Sequence, residues 1–279
     1  MMASRVKAIY PELLVSVQPL TVDGIRYRLE YQIVVGVFTR VYKATDEWGH
    51  ALAVKVVPPA SAEALWQNEV RQLRRFAGSG VVYLHRVFAH EGYTFLVLDD
   101  AGLPVSQCRV DDVAVHVQSA VFIARGVLPV LAWLHAVCHC YGDINPQNVL
   151  RRLGSEQKLH AVSPVDFGLC RTEKQLDASS AAMARWTPPL SIFRKQTLNG
   201  RALDIWHVGV LLLQVIIGKT LDYSEADILA DQLLKDAQSF ALPICTALSA
   251  ALASDPTQRP DAVGFWRALS VNIHTTSTS

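Results

Sequence analysis

Before residue 100 of this chain apolar residues alternate, and beyond residue 111 they recur every third or fourth position. No other feature narrows the fold as much. "YRLEYQIVV" (27–35), "RVYKATD" (40–46), "HALAVKVV" (50–57) and "YTFLVLDD" (93–100) are short β-branched and aromatic runs that predict strands, the third closed by Pro58 and Pro59. One helical pattern interrupts them. In "SAEALWQNEVRQLRRF" (61–76), Ser61 is the expected N-cap, and Trp66, Val70, Leu73 and Phe76 fall at helical spacing. Further on, "DDVAVHVQSAVFIARGVLPVLAWLHAV" (111–137) predicts a long helix with Gly126 and Pro129 as kink points. "LDIWHVGVLLLQVIIG" (203–218) is apolar on nearly all sides, which marks a helix buried inside its own lobe. More helices are expected near 225–237, 241–253 and 261–270. Strands segregated from helices predict an α+β class with two lobes, a small β-rich one with a single helix and a larger helical one. The junction falls near 99–105, and a cleft between lobes is a usual place for a ligand.

The chain has 279 residues and is 51% hydrophobic, so a large core is affordable and wholesale disorder is excluded. Lys and Arg number 26 against 25 Asp and Glu, a balance that predicts neither a nucleic-acid footprint nor a polybasic membrane anchor. The first twenty residues lack the apolar run of a signal peptide. The most apolar stretch, Ile205 to Ile217, is too short to span a bilayer, so no membrane insertion is expected. Five cysteines at irregular spacing argue against a disulfide framework and for a reducing compartment, cytoplasmic or nuclear. "CHC" (138–140) has no second pair at ligand spacing, so zinc is not expected. "TTSTS" at the end reads as a frayed tail.

Charges in expensive places carry the functional signal. Lys55 lies mid-strand among alanine and valine, either as an edge lysine that snorkels outward or as a paired buried cation. Glu69 shares the helix face of Trp66 and Leu73, where a lone carboxylate costs several kcal/mol. The two would solve each other's problem. "YGDINPQNVL" (141–150) sets Asp143 five residues ahead of Asn148 across Pro146; it reads as an ordinary Asp-Asn-Pro turn or as an ordered catalytic loop. "VDFGLCR" (165–171) adds Asp166 before Gly168. Two carboxylates and a carboxamide are hard oxygen donors suited to Mg²⁺ with phosphate, and a strand lysine suits phosphate charge. Together they describe phosphoryl transfer.

From about residue 27 to 270 these residues resemble the eukaryotic-type protein kinase family. "LAVKVV" is similar to the V-A-I-K strand, "YGDINPQNVL" to the H-R-D-x-x-x-x-N loop, "DFG" to the metal-binding tripeptide, "DIWHVG" (204–209) to D-x-W-x-x-G and "DPTQRP" (255–260) to D-P-x-x-R-P. The resemblance implies a bilobal kinase-like domain over 26–270 (N-lobe 26–98, hinge 99–105, C-lobe 106–270), after an extension at 1–25 and before a tail at 271–279. It implies ATP and Mg²⁺ as cofactors. Lys55, held by Glu69, would contact the α- and β-phosphates; Asp143 would be the catalytic base; Asn148 and Asp166 would hold metal. Leu98 would be the gatekeeper, and Gly36, Val41, Ala53, Leu98, Asp99 and Ala101 the remaining nucleotide-contacting positions.

Departures from the family pattern are concentrated at charge-bearing positions. In "IVVGVFTRVYKA" only Gly36 remains of three glycines, with Val34 and Thr39 at the others. Tyr141 and Gly142 stand for His and Arg, which removes the usual receiver of an activation-loop phosphate, so Ser179 and Ser180 read as unmodified loop residues. Asn145 stands for the lysine aimed at the γ-phosphate. "TPPL" (187–190) replaces A-P-E, and Leu190 cannot pair with Arg259. His139 reads as a packed or capping histidine. Three functions fit: a protein kinase acting on Ser/Thr of a protein substrate, a pseudokinase that scaffolds partners, and a small-molecule kinase whose loop also reads G-D-x-x-x-x-N. Oligomeric state is not legible.

Overall fold

Two hairpin turns set the register of the β-rich part. Asp23-Gly24 joins β1 (Leu20–Val22) to β2 (Ile25–Val35), and Glu91-Gly92 joins β5 (Leu84–His90) to β6 (Tyr93–Asp99). All four turn residues have positive φ, 50° and 82° in the first and 49° and 80° in the second. That is the twist a two-residue hairpin needs, and Gly supplies it without strain. With β3 (Arg40–Asp46) and β4 (Ala51–Val57), these strands form one antiparallel sheet in the order β1-β2-β3-β4-β6-β5. The sheet begins at Leu20, within the segment expected as an N-terminal extension. It also contains β5, a strand whose histidines and arginine mask its alternation.

The computed structural model describes residues 19–36, 39–59, 63–78, 80–107, 113–154, 159–175, 199–218, 235 and 244–274. They divide into two compact units, 1–77 with 82–100 and 78–81 with 101–279. In the first, one sheet face carries Tyr42, Ala44, Leu52, Val54, Val56, Phe95 and Val97, all buried, with Phe88 stacked on Phe95 at 5.0 Å. Alternation sends Val41, Lys43, Ala53, Lys55, Leu96 and Leu98 to the other face. Helix α1 (Glu63–Arg75) has Glu63 in its first turn and Arg74 and Arg75 in its last, complementing the helix dipole. It buries Glu69, Val70, Gln72 and Leu73, whereas Trp66 is only half-buried. Ser61 lies outside the described residues.

The second unit is built on α2 (Val113–Ala136) packed against α3 (Gly200–Ile217). Helix α2 continues through Gly126 and Pro129 as one element. Gly126 is there for close approach, since a Cβ would stand 2.6 Å from the Val162 Cβ on the adjacent strand. Helix α3 is buried almost all round, capped by Asn199, which accepts from the Ala202 amide, and by Gly218 at φ 73°. It is longer than the apolar core of its sequence. α2 from His116 and the whole of α3 are long and apolar enough to cross a membrane, but 83% of the α3 window is buried inside the unit as a core helix. Helices α4 (Ile244–Ala251) and α5 (Ala262–His274) complete the core, with α5 packed on α2. The helix expected at 225–237 falls outside the described residues except Lys235. Strands β7 (Leu103–Pro104), β9 (Val149–Leu153) and β10 (Leu159–Pro164) form one small sheet; β8 (His139–Cys140) and β11 (Arg171–Thr172) form another. These two small sheets frame the loop from 141 to 148.

Candidate active site

In the first unit, Lys55 Nζ donates to Glu69 Oε2 at 2.7 Å, and the two side chains are 8% and 3% exposed. β4 is an interior strand, so Lys55 is a paired buried cation and not an edge lysine. Removing either partner would strand the other charge where its desolvation is uncompensated. Val41 and Leu96 flank Lys55 on the neighbouring strands, and Ala53 pairs with Leu98 one step along the same face. Leu98 is buried, and Val41 and Ala53 are half-buried. Asp99 accepts from His85 Nε2 at 2.6 Å, and its amide donates to the Tyr83 carbonyl. At the β2–β3 turn the Gly36 amide donates to the Thr39 carbonyl at 2.8 Å, and a Cβ on Gly36 would stand 2.9 Å from Thr39 Oγ1. Val34 is exposed, opposite Val41.

The second unit gathers Asp143, Asn148 and Asp166 through one run of hydrogen bonds. Asn148 Nδ2 donates to Asp143 Oδ2 at 2.8 Å, the Asn148 carbonyl accepts from the Val165 amide at 2.8 Å, and Asp166 follows. Asp166 adopts the left-handed region at φ 63°, ψ 73°, a conformation in which short acidic side chains are enriched and which recurs at functional sites. Its Oδ1 accepts from the Gly168 amide. Tyr141 is fully buried; its hydroxyl donates to the Val165 carbonyl, and its ring meets Phe167 edge-on at 5.0 Å. Ala101 is buried where the chain enters this unit.

Asn145 does more than replace a cation. It is buried, and its Nδ2 donates at 3.1 Å to both the Asp143 carbonyl and Asp143 Oδ1. Its Oδ1 accepts from the amides of Gln147 and Asn148 at 2.9 and 3.2 Å. The amide therefore folds the loop and orients the Asp143 carboxylate, a role its charge alone did not predict. Gly142 has φ 88°, where an L-residue is strained, and its amide donates 2.8 Å to Asp204 Oδ1.

Asp204 is the residue that motif reading left without a role. It lies in α3, is fully buried, and its Oδ2 accepts from the Tyr141 amide at 2.8 Å and from His135 Nε2 at 2.9 Å. A carboxylate can only accept, so His135 carries its proton on Nε2. A charge inside an otherwise apolar helix was the available signal. Beside it, His207 is buried with neither ring nitrogen hydrogen-bonded among the described residues, and burial lowers its pKa to about 4, against the Asp204 charge and with the Arg259 charge. Arg259 donates to the carbonyls of Ala253 and Ala202, each at 2.9 Å, and burial lowers its pKa to about 10. Leu190, the "TPPL" stretch, Ser179 and Ser180 lie outside the described residues. His139 is buried with Nδ1 2.9 Å from the Val137 carbonyl. Burial raises the Cys140 thiol pKa far above its usual range, so Cys140 offers no thiolate to a metal. Among the described residues no group of three or more His, Cys, Asp or Glu side chains could hold a metal ion.

The donor set that remains, one carboxylate in Asp166 and one carboxamide in Asn148, fits Mg²⁺, which takes few protein ligands and completes its shell with phosphate and water. Because the Asn148 NH₂ is spent on Asp143, its amide oxygen is the atom that would face a metal.

Residues 27–264 match the family model for the protein kinase domain. The chain is 26% identical over 242 residues to calcium/calmodulin-dependent protein kinase type 1 of Caenorhabditis briggsae, covering 83% of this chain and 67% of that protein. It is 25% identical over 231 residues to the human type 1B enzyme, covering 80% and 66%. Human serine/threonine-protein kinase D3 is 27% identical over 195 residues, covering 66% and 21%. The chain thus spans about two thirds of the length of the first two.

Proposed function

The chain belongs to the protein kinase domain family, and on that footing we propose that it transfers the γ-phosphoryl group of ATP to serine or threonine hydroxyls of a protein substrate. The observation that carries this reading is the buried Lys55–Glu69 bond at 2.7 Å. A lysine fixed in that way is a preorganised cation for the α- and β-phosphates, and phosphoryl transfer depends mainly on such positioning. Asp143 takes the acceptor hydroxyl's proton, with its carboxylate held by the amides of Asn145 and Asn148. Asp166 and Asn148 hold Mg²⁺, which when bound neutralises charge developing on the transferred phosphate. Val41, Ala53 and Leu98 would receive the adenine, with backbone groups near Asp99, and Gly36 would serve the phosphates. The serine/threonine class follows relatives such as human serine/threonine-protein kinase D3. The odd number and irregular spacing of the five cysteines support a reducing compartment, cytoplasm or nucleus.

One observation favours a second reading, a nucleotide-binding scaffold for protein partners without transfer. Asn145 donates to Asp143 Oδ1 and Asn148 to Oδ2, so both oxygens of the proposed base already accept an amide proton, and a neutral amide stands in place of a lysine aimed at phosphate. The first step separating both readings from a domain without nucleotide is a thermal shift with ATP in the presence and absence of Mg²⁺. Stabilisation that needs Mg²⁺ and disappears in Asp166→Asn supports nucleotide use; an unshifted melting curve in the native chain refutes it.

A further inference from the structure

Lys43 is a charge the proposed reaction leaves unused. It sits on β3 directly opposite Ala53 of β4, and Ala53 sits opposite Leu98 of β6. Directly opposed residues share a face of an antiparallel sheet, so Lys43 lies on the face of Val41, Ala53, Lys55 and Leu98. Its ammonium donates to the Asp100 carboxylate, one residue past the end of β6. β4 lies between β3 and β6, so the pair spans two strand spacings, about 10 Å. Reaching Asp100 takes the lysine stem across β4 where that strand presents only alanines, Ala51 and Ala53. The two side chains are 21% and 18% exposed, so the pair is held against the sheet and is not a solvated surface contact.

We propose that the Lys43–Asp100 pair is a bar across the base position, so that a nucleotide seats on Ala53 only after Lys43 swings off it. This rests on the nucleotide reading given above. The energy of the pair is then subtracted from the affinity for the base, and residues outside the catalytic set determine how well the site is occupied. The pair also makes the site selective for ligands that can displace a mostly buried lysine.

Adenosine is the probe, because it carries the base without phosphate charge. Its dissociation constant is measured by calorimetry for the native chain, for Lys43→Ala and Asp100→Asn, and for the exchanged pair Lys43→Asp with Asp100→Lys. Each single variant is expected to bind about two- to tenfold more tightly, and the exchanged pair to return towards the native value. Asp100→Asn keeps the shape of the side chain it replaces, so its affinity is read on a folded protein. Unchanged or weaker adenosine binding in both single variants, with Mg-ATP still bound by the native chain, overturns this inference alone. If the native chain and both single variants bind neither Mg-ATP nor adenosine, the nucleotide reading fails and this inference with it.

Discussion

Replacing Asp204 by asparagine should loosen the loop that carries Asp143. The carboxylate accepts three hydrogen bonds at 2.8, 2.8 and 2.9 Å, from the Tyr141 and Gly142 amides and from His135. An asparagine can aim its one oxygen at the Tyr141 and His135 donors, turning two charge-assisted bonds neutral, at about 1 kcal/mol each. Its NH₂ then faces the Gly142 amide, donor against donor, and an orphaned buried N–H costs about 1–3 kcal/mol more. The sum is about 3–5 kcal/mol, which lowers the urea midpoint by about 1–1.7 M at a slope near 3 kcal/mol/M. Amide hydrogen exchange at Tyr141 and Gly142 should accelerate in parallel. A midpoint within about 0.2 M of the native value, with exchange at both amides unchanged, would refute the assignment of Asp204 as the loop's anchor.

Glu69→Gln should destabilise the first unit by about 3 kcal/mol, because it leaves Lys55 as an unpaired buried charge; urea unfolding measures it, and Mg-ATP affinity should fall with it. His207 has its pKa lowered to about 4 by burial, so between pH 6.5 and 4 the unfolded chain takes up a proton that the folded chain refuses. Stability on its account is full above pH 6.5 and falls by about 3 kcal/mol on the way to pH 4. His207→Leu should flatten that part of the stability–pH curve, and an unaltered acid slope would contradict the burial. Gly142→Ala should cost about 1–2 kcal/mol, from φ 88° and a Cβ placed 3.1 Å from the Leu169 carbonyl, as read by the same urea midpoint.

What could be read from the sequence follows the range of the interactions involved. The alternation in "ALAVKVV" is local, so β4 and its faces were legible, and the Lys55–Glu69 pair followed from two charges that had nowhere else to go. The hairpin signals Asp23-Gly24 and Glu91-Gly92 are equally local, and they mark β1 and β5, two strands whose own alternation is weak. The close approach of Gly126 to Val162 depends on a strand more than thirty positions away, which the sequence in one dimension does not show. The roles of Asp204 and Asn145 were out of reach for another reason. Asp204 reaches Tyr141 and Gly142 from more than sixty positions away. Asn145 folds its own loop through four bonds that its identity as a missing lysine does not suggest. Lys43 and Asp100, 57 positions apart, likewise meet only once three strands are in register.

The central claim, that Asp143 serves as base in phosphoryl transfer to protein hydroxyls, is tested by following the terminal phosphate of radiolabelled ATP into a generic protein substrate with Mg²⁺ present. The native chain should label serine or threonine. Asp143→Ala should bind Mg-ATP as before and label about 10²–10⁴-fold more slowly. Equal labelling by both proteins, or none by a native chain that binds Mg-ATP, would contradict the claim.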